Sequence, residues 1–174
     1  MQRGVYFVTF TVVEWVDIFT HSRYVDIVIN SLKHCIEEKG LQLHAYVVVS
    51  NHLHLIISRN GTSSLSDIVR DFKKFTASQI INSIQEEPES RRNWLLWIFS
   101  SAGKRNPNNT SYQLWQQESH TEELFTNEFM MQKLNYLHEN PVRANVVYKA
   151  EDYKYSSAAA YGGEYCSLPL ILLF

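Results

Sequence analysis

The stretch Leu41–Ser58, LQLHAYVVVSNHLHLIIS, decides the fold. Leu41–Val49 and His52–Ser58 are rich in apolar and β-branched residues, which is typical of strands. The Ser50-Asn51 pair between them favours a short turn, so a tight hairpin joins two neighbouring antiparallel strands. The nearly continuous apolar run around the two histidines predicts a central strand that is buried on both faces.

Elements on both sides of this hairpin complete an alternating order. Upstream, Tyr6–Val13 predicts a strand and Ser22–Lys39 predicts an amphipathic helix. Downstream, Ser64–Gln85 predicts a long amphipathic helix, Tyr112–Trp115 a fourth strand and Thr126–Glu139 a further helix. The order matches the split βαβ, ferredoxin-like arrangement. We therefore expect an α+β fold with an antiparallel sheet and helices on one face.

Length and composition predict one domain spanning residues 1–174. Hydrophobic residues make up 45% and charged residues 20%, which excludes disordered and fibrous classes. We expect a loop or helical insertion around residues 86–111 and a C-terminal tail at residues 162–174. The apolar runs are shorter than the about 20 residues that a membrane span needs, and two cysteines are too few for a disulfide scaffold. A soluble cytoplasmic protein with no membrane partner is expected.

His52 and His54 carry the sharpest chemical signal. Side chains two positions apart on a strand point to the same face, so the two imidazoles can converge on one divalent ion. Burying them in an apolar strand costs free energy unless they find partners. Hydrogen-bonded or partly exposed histidines without a metal are the alternative interpretation. The remaining histidines are interpreted as surface or core residues: His21, His34, His44, His120 and His138.

The helix Thr126–Glu139 carries a polar group beside its apolar stripe. At about 100° per residue, Tyr136 lies on the flank, with Lys133 and Asn140 on the same side. A phenol is a weak nucleophile, so it needs a phosphodiester that is polarised by a cation. The ammonium of a lysine can help to neutralise the charge on the phosphate, and an amide oxygen can serve as a metal ligand. The alternative interpretation is a boundary tyrosine, a solvated lysine and an asparagine that only ends the helix.

Several segments together resemble the single-tyrosine HUH transposases, and most closely the REP-associated tyrosine transposases and related insertion-sequence transposases. The segments are AYVVVSNHLHLII (45–57), DFKKFTASQI (71–80), YQLWQQESH (112–120), LNYLHENPVRANVV (134–147) and KYSSAAAY (154–161). The resemblance implies a ferredoxin-like fold of the HUH endonuclease type. It also implies that the tyrosine helix packs near the strand that carries the histidines.

The resemblance implies a role for each matching residue. His52 and His54 fall on the metal ligands of the HUH motif, and Tyr136 falls on the nucleophile. Asn140 stands four residues after the tyrosine, where other members carry glutamine as the third ligand. Ser50 departs from the proline that commonly precedes the Asn-His-x-His sequence, and we expect it to change the rigidity of the turn without loss of chemistry.

The resemblance also implies a reaction and a substrate. Members cleave and rejoin single-stranded DNA through a covalent 5′-phosphotyrosine intermediate, assisted by Mg²⁺ or Mn²⁺. The expected partner is single-stranded DNA with a hairpin near the element end, bound by a monomer or a homodimer. Two other functions stay open on the residues alone. They are a catalytically silent DNA- or RNA-binding module on the same fold, and a metal-dependent phosphodiesterase that uses the two histidines.

Basic residues are unevenly placed, although the net charge of -2 gives no global sign of nucleic-acid binding. Residues 91–117 contain four basic and no acidic side chains. Trp94, Trp97 and Trp115 could stack on bases, but we expect most of them in the core. The candidate DNA contacts are Arg70, Lys73, Lys74, Arg91, Arg92, Lys104, Arg105, Lys133 and Arg143.

Overall fold

The computed structural model describes residues 4–108 and 111–174. Its centre is an antiparallel sheet with the strand order β2-β3-β1-β4. The strands are β1 (Tyr6–Thr11), β2 (Leu41–Val48), β3 (His52–Arg59) and β4 (His120–Glu123). The helices are α1 (Ser22–Lys39), α2 (Leu65–Glu86), α3 (Arg92–Arg105), α4 (Asn127–His138), α5 (Asn140–Arg143) and α6 (Ala158–Tyr161). This order is the split βαβ, ferredoxin-like arrangement, so the predicted fold class is confirmed.

The larger core lies between one face of the sheet and helices α1 and α2. Phe10 of β1 and Leu53 and Leu55 of β3 point into it because alternate strand residues share a face. Apolar residues at helical spacing meet them from the other side: Val25, Val28 and Leu32 of α1, and Ile68, Phe72 and Ile80 of α2. No helix in this part of the chain or elsewhere among the described residues is long and apolar enough to cross a membrane.

A smaller core lies on the opposite face of the sheet, where α4 packs. Leu134 and Leu137 of α4 are buried there together with Phe7, Val47 and Ile56 of the strands. The expectation of helices on one face therefore holds for α1 and α2 and is corrected for α4. The order of elements does not specify which face of the sheet is covered by a helix that follows the last strand. The apolar stripe of α4 packs on the face opposite α1 and α2.

The fourth strand lies later in the chain than the sequence pattern indicated. Residues 112–115 were predicted to form it, but there Trp115 forms an isolated bridge with Val12. The strand that pairs along β1 is His120–Glu123, in antiparallel register with Tyr6–Thr9. The four residues HTEE show no alternation of apolar and polar side chains, so the sequence pattern does not predict this edge strand. Its position is determined by pairing with β1.

Residues 86–111 and the C-terminal tail at 162–174 both pack against the rest of the domain. Residues 86–111 contain α3, whose Leu95 and Phe99 are buried in the larger core. Asn109 and Thr110, near the end of this range, lie outside the described residues. In the C-terminal tail, Leu168 is buried and the backbone N–H of Ile171 donates to the carbonyl of Leu43 in β2 at 2.9 Å.

Candidate active site

Strand β3 places His52 and His54 on the sheet face that α4 covers. The centroids of the two imidazoles are 4.7 Å apart. In the register with β1, His52 lies opposite Thr11 and His54 lies opposite Thr9. His54 is only 5% exposed, whereas His52 is half-buried. The two rings therefore lie side by side on one face, between the sheet and solvent.

Hydrogen bonds fix the orientation of both imidazoles. The Nδ1–H of His52 donates to the side-chain oxygen of Asn51 at 2.7 Å, which leaves the lone pair on Nε2. The Nδ1 of His54 is hydrogen-bonded to the Oγ1 of Thr9 at 2.7 Å. The Nε2 of His54 is buried and has no hydrogen-bond partner among the described residues. This is the arrangement of a metal-binding histidine, whose second ring nitrogen is held by a neighbour.

Burial keeps both imidazoles neutral. It lowers the pKa of His52, and burial with the smaller effects of His52, Arg143 and Lys133 lowers the pKa of His54 to about 3. A neutral imidazole can offer a nitrogen lone pair to a metal ion. Neutral rings and a buried nitrogen without a partner together fit a divalent cation.

Tyr136 lies on α4 directly beside this pair. Its ring meets the ring of His54 edge to face with 5.5 Å between centroids, and the ring of Phe7 at 6.0 Å. Leu134 and Leu137 hold α4 on the sheet, while the Tyr136 side chain remains 46% exposed. The phenol therefore extends from the protein core towards solvent, next to the histidines.

Two cations lie close to the ring of Tyr136. The guanidinium carbon of Arg143 lies 4.4 Å from the ring centroid, and its Nη2 donates to the carbonyl of Tyr136 at 2.8 Å. The Nζ of Lys133 lies 5.8 Å from the same centroid and 4.8 Å from that of Phe7. Positive charge close to a phenol can stabilise a phosphate that lies against it.

Strand β4 brings two further residues to the site that the sequence interpretation missed. Glu122 forms an ion pair with Lys133, and this hydrogen bond is the largest cause that holds the pKa of Glu122 below its usual value. The Nε2 of His120 lies 3.3 Å from Glu122, and His120 lies opposite Thr9 in the register with β1. The spacing of His120 and Glu122 places both on one face of a strand, but that strand was not recognised from the sequence.

Asn140 begins α5 immediately after Glu139, the residue that ends α4. It is half-buried, and its backbone carbonyl accepts a hydrogen bond from the N–H of Ala144. Among the described residues, no group of three His, Cys, Asp or Glu side chains is placed to hold a metal ion. A cation bound by the two histidines therefore needs other oxygen ligands, such as the amide of Asn140 or the substrate itself.

The sequence match to known proteins decides the family. Residues 5–102 match the model of the IS200-like transposases, which is more than half of the chain. The chain belongs to the IS200-like transposase family. The matched segment contains His52 and His54 and ends before Tyr136. No curated protein sequence matches the transposase.

Solved structures resemble the transposase in fold. The structure of a REP-associated tyrosine transposase bound to a REP hairpin has a TM-score of 0.63 at 17% identity, and covers 95% of this chain and 84% of the other. A protein of Deinococcus radiodurans R1, described as a candidate transposase, has a TM-score of 0.50 at 14% identity, and covers 80% of this chain and 92% of the other. At these identities the likeness shows a shared fold.

The structure of the transposase brings two of the proposed DNA contacts to Tyr136, namely Lys133 and Arg143. Lys104 and Arg105 are exposed at the end of α3, where Arg105 forms an ion pair with Glu14 at 3.1 Å. Both side chains are exposed to solvent, and Glu14 offsets the charge of Arg105.

The other proposed contacts lie on α2 or at the start of α3, and α2 covers the sheet face away from Tyr136. Lys73 donates to the carbonyl of Gln116 at 3.0 Å, and burial lowers its pKa. The guanidinium of Arg92 donates to the carbonyl of Ile84 at 2.8 Å. Besides Lys133 and Arg143, the candidate DNA contacts lie on α2 or at either end of α3, and no contact described above joins them to Tyr136: Arg70, Lys73, Lys74, Arg91, Arg92, Lys104 and Arg105.

The tryptophans differ from the expectation of burial. Trp115 is buried, and its indole N–H donates to Thr76 at 2.9 Å, as the expectation required. Trp94 and Trp97 are 50% and 66% exposed, so the expectation was wrong for both. Trp15, which the sequence interpretation did not single out, is 65% exposed.

Proposed function

We propose that this transposase cleaves and rejoins single-stranded DNA with Tyr136 as the nucleophile. The observation that carries the proposal is the contact between the rings of Tyr136 and His54, at 5.5 Å between centroids. Lys133 and Arg143 add positive charge beside the phenol ring. The whole of residues 1–174 is assigned to this one catalytic domain.

The proposed chemistry exchanges one phosphate ester for another. The phenol oxygen of Tyr136 attacks the phosphorus of the scissile phosphodiester, and the bond from phosphorus to the 3′ oxygen breaks. The 5′-phosphate remains on the tyrosine, and the phenol proton ends on the departing 3′-OH. A second 3′-OH reverses the step and joins new ends, so no water needs to be activated. Arg143 and Lys133 stabilise the negative charge that develops on the phosphate.

The residues of the site fit a divalent cation, Mg²⁺ or Mn²⁺, that His52, His54 and Asn140 would hold. When bound, such an ion polarises the scissile phosphate and orients it for attack. Asn51 and Thr9 hold the two imidazoles through their Nδ1 atoms. The fixed rings keep their remaining nitrogens in position before substrate arrives.

A DNA hairpin is the proposed recognition element. The relative that was solved with a REP hairpin shares the fold over most of both chains. We assign the transposase to hairpin-bearing element ends, with the exposed Arg143 and Lys104 as candidate contacts to phosphates. A homodimer is compatible with this assignment but is not required by the geometry of the site.

The test is covalent capture of DNA by Tyr136. Single-stranded oligonucleotides from the sequence flanking the gene, labelled at the 3′ end, are incubated with the protein and Mn²⁺ and separated under denaturing conditions. The wild type is expected to retain the label covalently, and Tyr136→Phe is expected to retain none. Tyr148→Phe is the matched control, because Tyr148 lies outside the site and is fully exposed.

The same experiment separates the two alternative functions. A phosphodiesterase that uses the two histidines would release cleaved DNA without an adduct, and Tyr136→Phe would leave its rate unchanged. A silent binding module would bind the hairpin and give neither adduct nor cleavage. Either pattern would overturn the tyrosine mechanism.

A further inference from the structure

A groove at the end of β1 is not used by the chemistry described above. It lies between the turn Val13–Trp15 and the C-terminal end of α3, and has a volume of about 370 Å³. An aromatic ring, a guanidinium and several amides line it. These side chains belong to Trp15, Arg105, Asn106, Gln113, Gln116 and Gln117.

Hydrogen bonds connect this groove to the histidine pair. The backbone N–H of Gln116 donates to the carbonyl of Thr11 at 2.8 Å, and Thr11 lies opposite His52 in the sheet. The side-chain nitrogen of Asn51 donates to the carbonyl of Trp15 at 3.3 Å, while its oxygen accepts from His52. Asn51 therefore contacts both the wall of the groove and a proposed metal ligand.

The backbone of Trp15 has a left-handed conformation, which is unfavourable for a tryptophan. Its φ is 50°, and φ of the preceding Glu14 is 55°. This left-handed region is unfavourable for bulky side chains, and such strain is found at functional sites. The strained residue presents an indole that is 65% exposed. Strain and exposure together indicate that the ring contacts something other than the core.

The chemistry of the groove suits a nucleobase better than a phosphate. Arg105 forms its ion pair with Glu14 at 3.1 Å, so these two charges offset each other. The amides of Gln116 and Gln117 carry donors and acceptors of the kind that pair with base edges. An exposed indole stacks on any base, because every base offers a flat aromatic face.

We propose that this groove binds one unpaired base of the DNA strand beside the scissile phosphate, with the indole of Trp15 stacked on it. The inference rests on the proposed function, since it takes single-stranded DNA as the substrate. Stacking there would fix the strand relative to His52 through the Asn51 contact. Trp15 is thus a positioning residue that binds the substrate and takes no part in the exchange of phosphate esters.

Binding is measured in a Tyr136→Phe background, so that no covalent step contributes. The probe is a fluorescein-labelled single-stranded oligonucleotide of one defined sequence that includes the hairpin flanking the gene, and binding is followed by fluorescence anisotropy. Trp15→Ala is expected to weaken binding on the order of tenfold, and Trp15→Phe to keep most of the affinity. Tyr148→Ala is the matched control, because Tyr148 is a fully exposed aromatic residue outside the groove, and it should leave the affinity unchanged.

A second variant separates binding from folding. Asparagine adopts left-handed backbone conformations more readily than tryptophan, so Trp15→Asn relieves strain while it removes the ring. Thermal unfolding of Trp15→Asn should occur at the wild-type temperature or above it, whereas its affinity for the probe should fall as in Trp15→Ala. Loss of affinity together with a lower unfolding temperature in both variants would assign the effect to folding and would overturn the inference.

Abasic substitution locates the stacked base. Each nucleotide of the probe is replaced in turn by an abasic residue, and one position is expected to lose affinity with the wild-type Trp15. In Trp15→Ala that position should lose no more, because the two changes remove the same contact. Equal binding by Trp15→Ala and its parent, an undiminished abasic penalty, or no binding of the probe at all would each overturn the inference.

The outcome is distinguishable from that of the covalent-capture experiment. Binding that depends on Trp15 without any Tyr136 adduct would leave the base site standing and remove the tyrosine mechanism. A Tyr136 adduct together with DNA binding that does not depend on Trp15 would support the tyrosine mechanism and remove the base site.

Discussion

The imidazole of His54 and the phenol ring of Tyr136 meet edge to face, with their centroids 5.5 Å apart. Phe7 contacts both rings, stacked on His54 at 5.1 Å and edge-on to Tyr136 at 6.0 Å. A buried aromatic residue of β1 thus sets the spacing between the proposed metal ligand and the proposed nucleophile. The site is assembled by packing before any DNA is bound.

Thr9→Val tests the hydrogen bond that orients His54. Valine keeps the shape of threonine but cannot bond to Nδ1, which lies 2.7 Å from Thr9 Oγ1. Loss of such a supporting bond is expected to weaken Mn²⁺ binding about 10- to 100-fold, measured by calorimetric titration. Thr11→Val is the control, because Thr11 is the half-buried residue at the equivalent position opposite His52. Equal losses in both variants would contradict a specific role for Thr9.

Glu122→Gln tests whether β4 positions Lys133. The variant removes the ion pair that holds the lysine near Phe7 and Tyr136. The rate of covalent adduct formation is expected to fall on the order of tenfold with little change in DNA affinity, because charge stabilisation at the phosphate is impaired. Glu123→Gln lies on the same strand with its side chain on the other face and should keep the wild-type rate. A rate for Glu122→Gln equal to that of Glu123→Gln would exclude this role.

His138→Gln tests a pH dependence of folding that is separate from catalysis. The Nε2 of His138 is hydrogen-bonded to Ser157 at 2.8 Å, and burial lowers the pKa of His138 to about 4. In the unfolded chain the pKa is about 6.5, so between these values the unfolded state binds more protons. The contribution of the neutral His138 side chain to the free energy of unfolding is complete above about pH 6.5 and is lost as the pH falls to about 4. The loss is on the order of 3 kcal/mol at most.

Urea unfolding at several pH values between 7 and about 4 measures this effect. The free energy of unfolding of the wild type should fall with pH more steeply than that of His138→Gln. Other buried histidines whose pKa is lowered, such as His44, add slope to both proteins and do not change the difference. His34→Gln, an exposed position, is expected to keep the wild-type slope. An identical slope in His138→Gln would contradict the assignment.

Removal of residues 168–174 tests the role of the C-terminal tail. Leu168 is 2% exposed, so its loss alone should lower the free energy of unfolding by about 1.5–3 kcal/mol. The tail also bonds to the edge of β2 through Ile171, and a bare strand edge can pair with another chain. Light scattering is expected to show self-association of the truncated protein. Leu172→Ser in the full chain should keep the wild-type free energy of unfolding and light scattering, since Leu172 is half-exposed.

Periodicity predicted the elements whose packing is strongly apolar. The β2–β3 hairpin, α1 and α2 lie within a residue or two of the predicted limits, and so does α4. Thr126 accepts a hydrogen bond from the N–H of Phe129, as expected of the residue that caps α4. These elements carry their own signals, because each buries a continuous face.

The parts that were missed depend on contacts distant in sequence. Strand β4 is polar, and its position is determined by pairing with β1 and by the ion pair of Glu122 with Lys133. His120 and Glu122 therefore stayed outside the predicted site. The exposure of Trp94 and Trp97 could not be read from residue type, because tryptophan is apolar enough for the core and flat enough for a surface site.

The proposed nucleophile and the residues around it are synthesised at different times. Thr9 and the two histidines lie in the first half of the chain, β4 follows much later, and Tyr136 comes after it. A nascent chain on the ribosome therefore carries the imidazole pair long before it carries the phenol. Under the proposed tyrosine mechanism, a chain that is released by a premature stop before α4 lacks the proposed nucleophile and forms no covalent adduct with DNA.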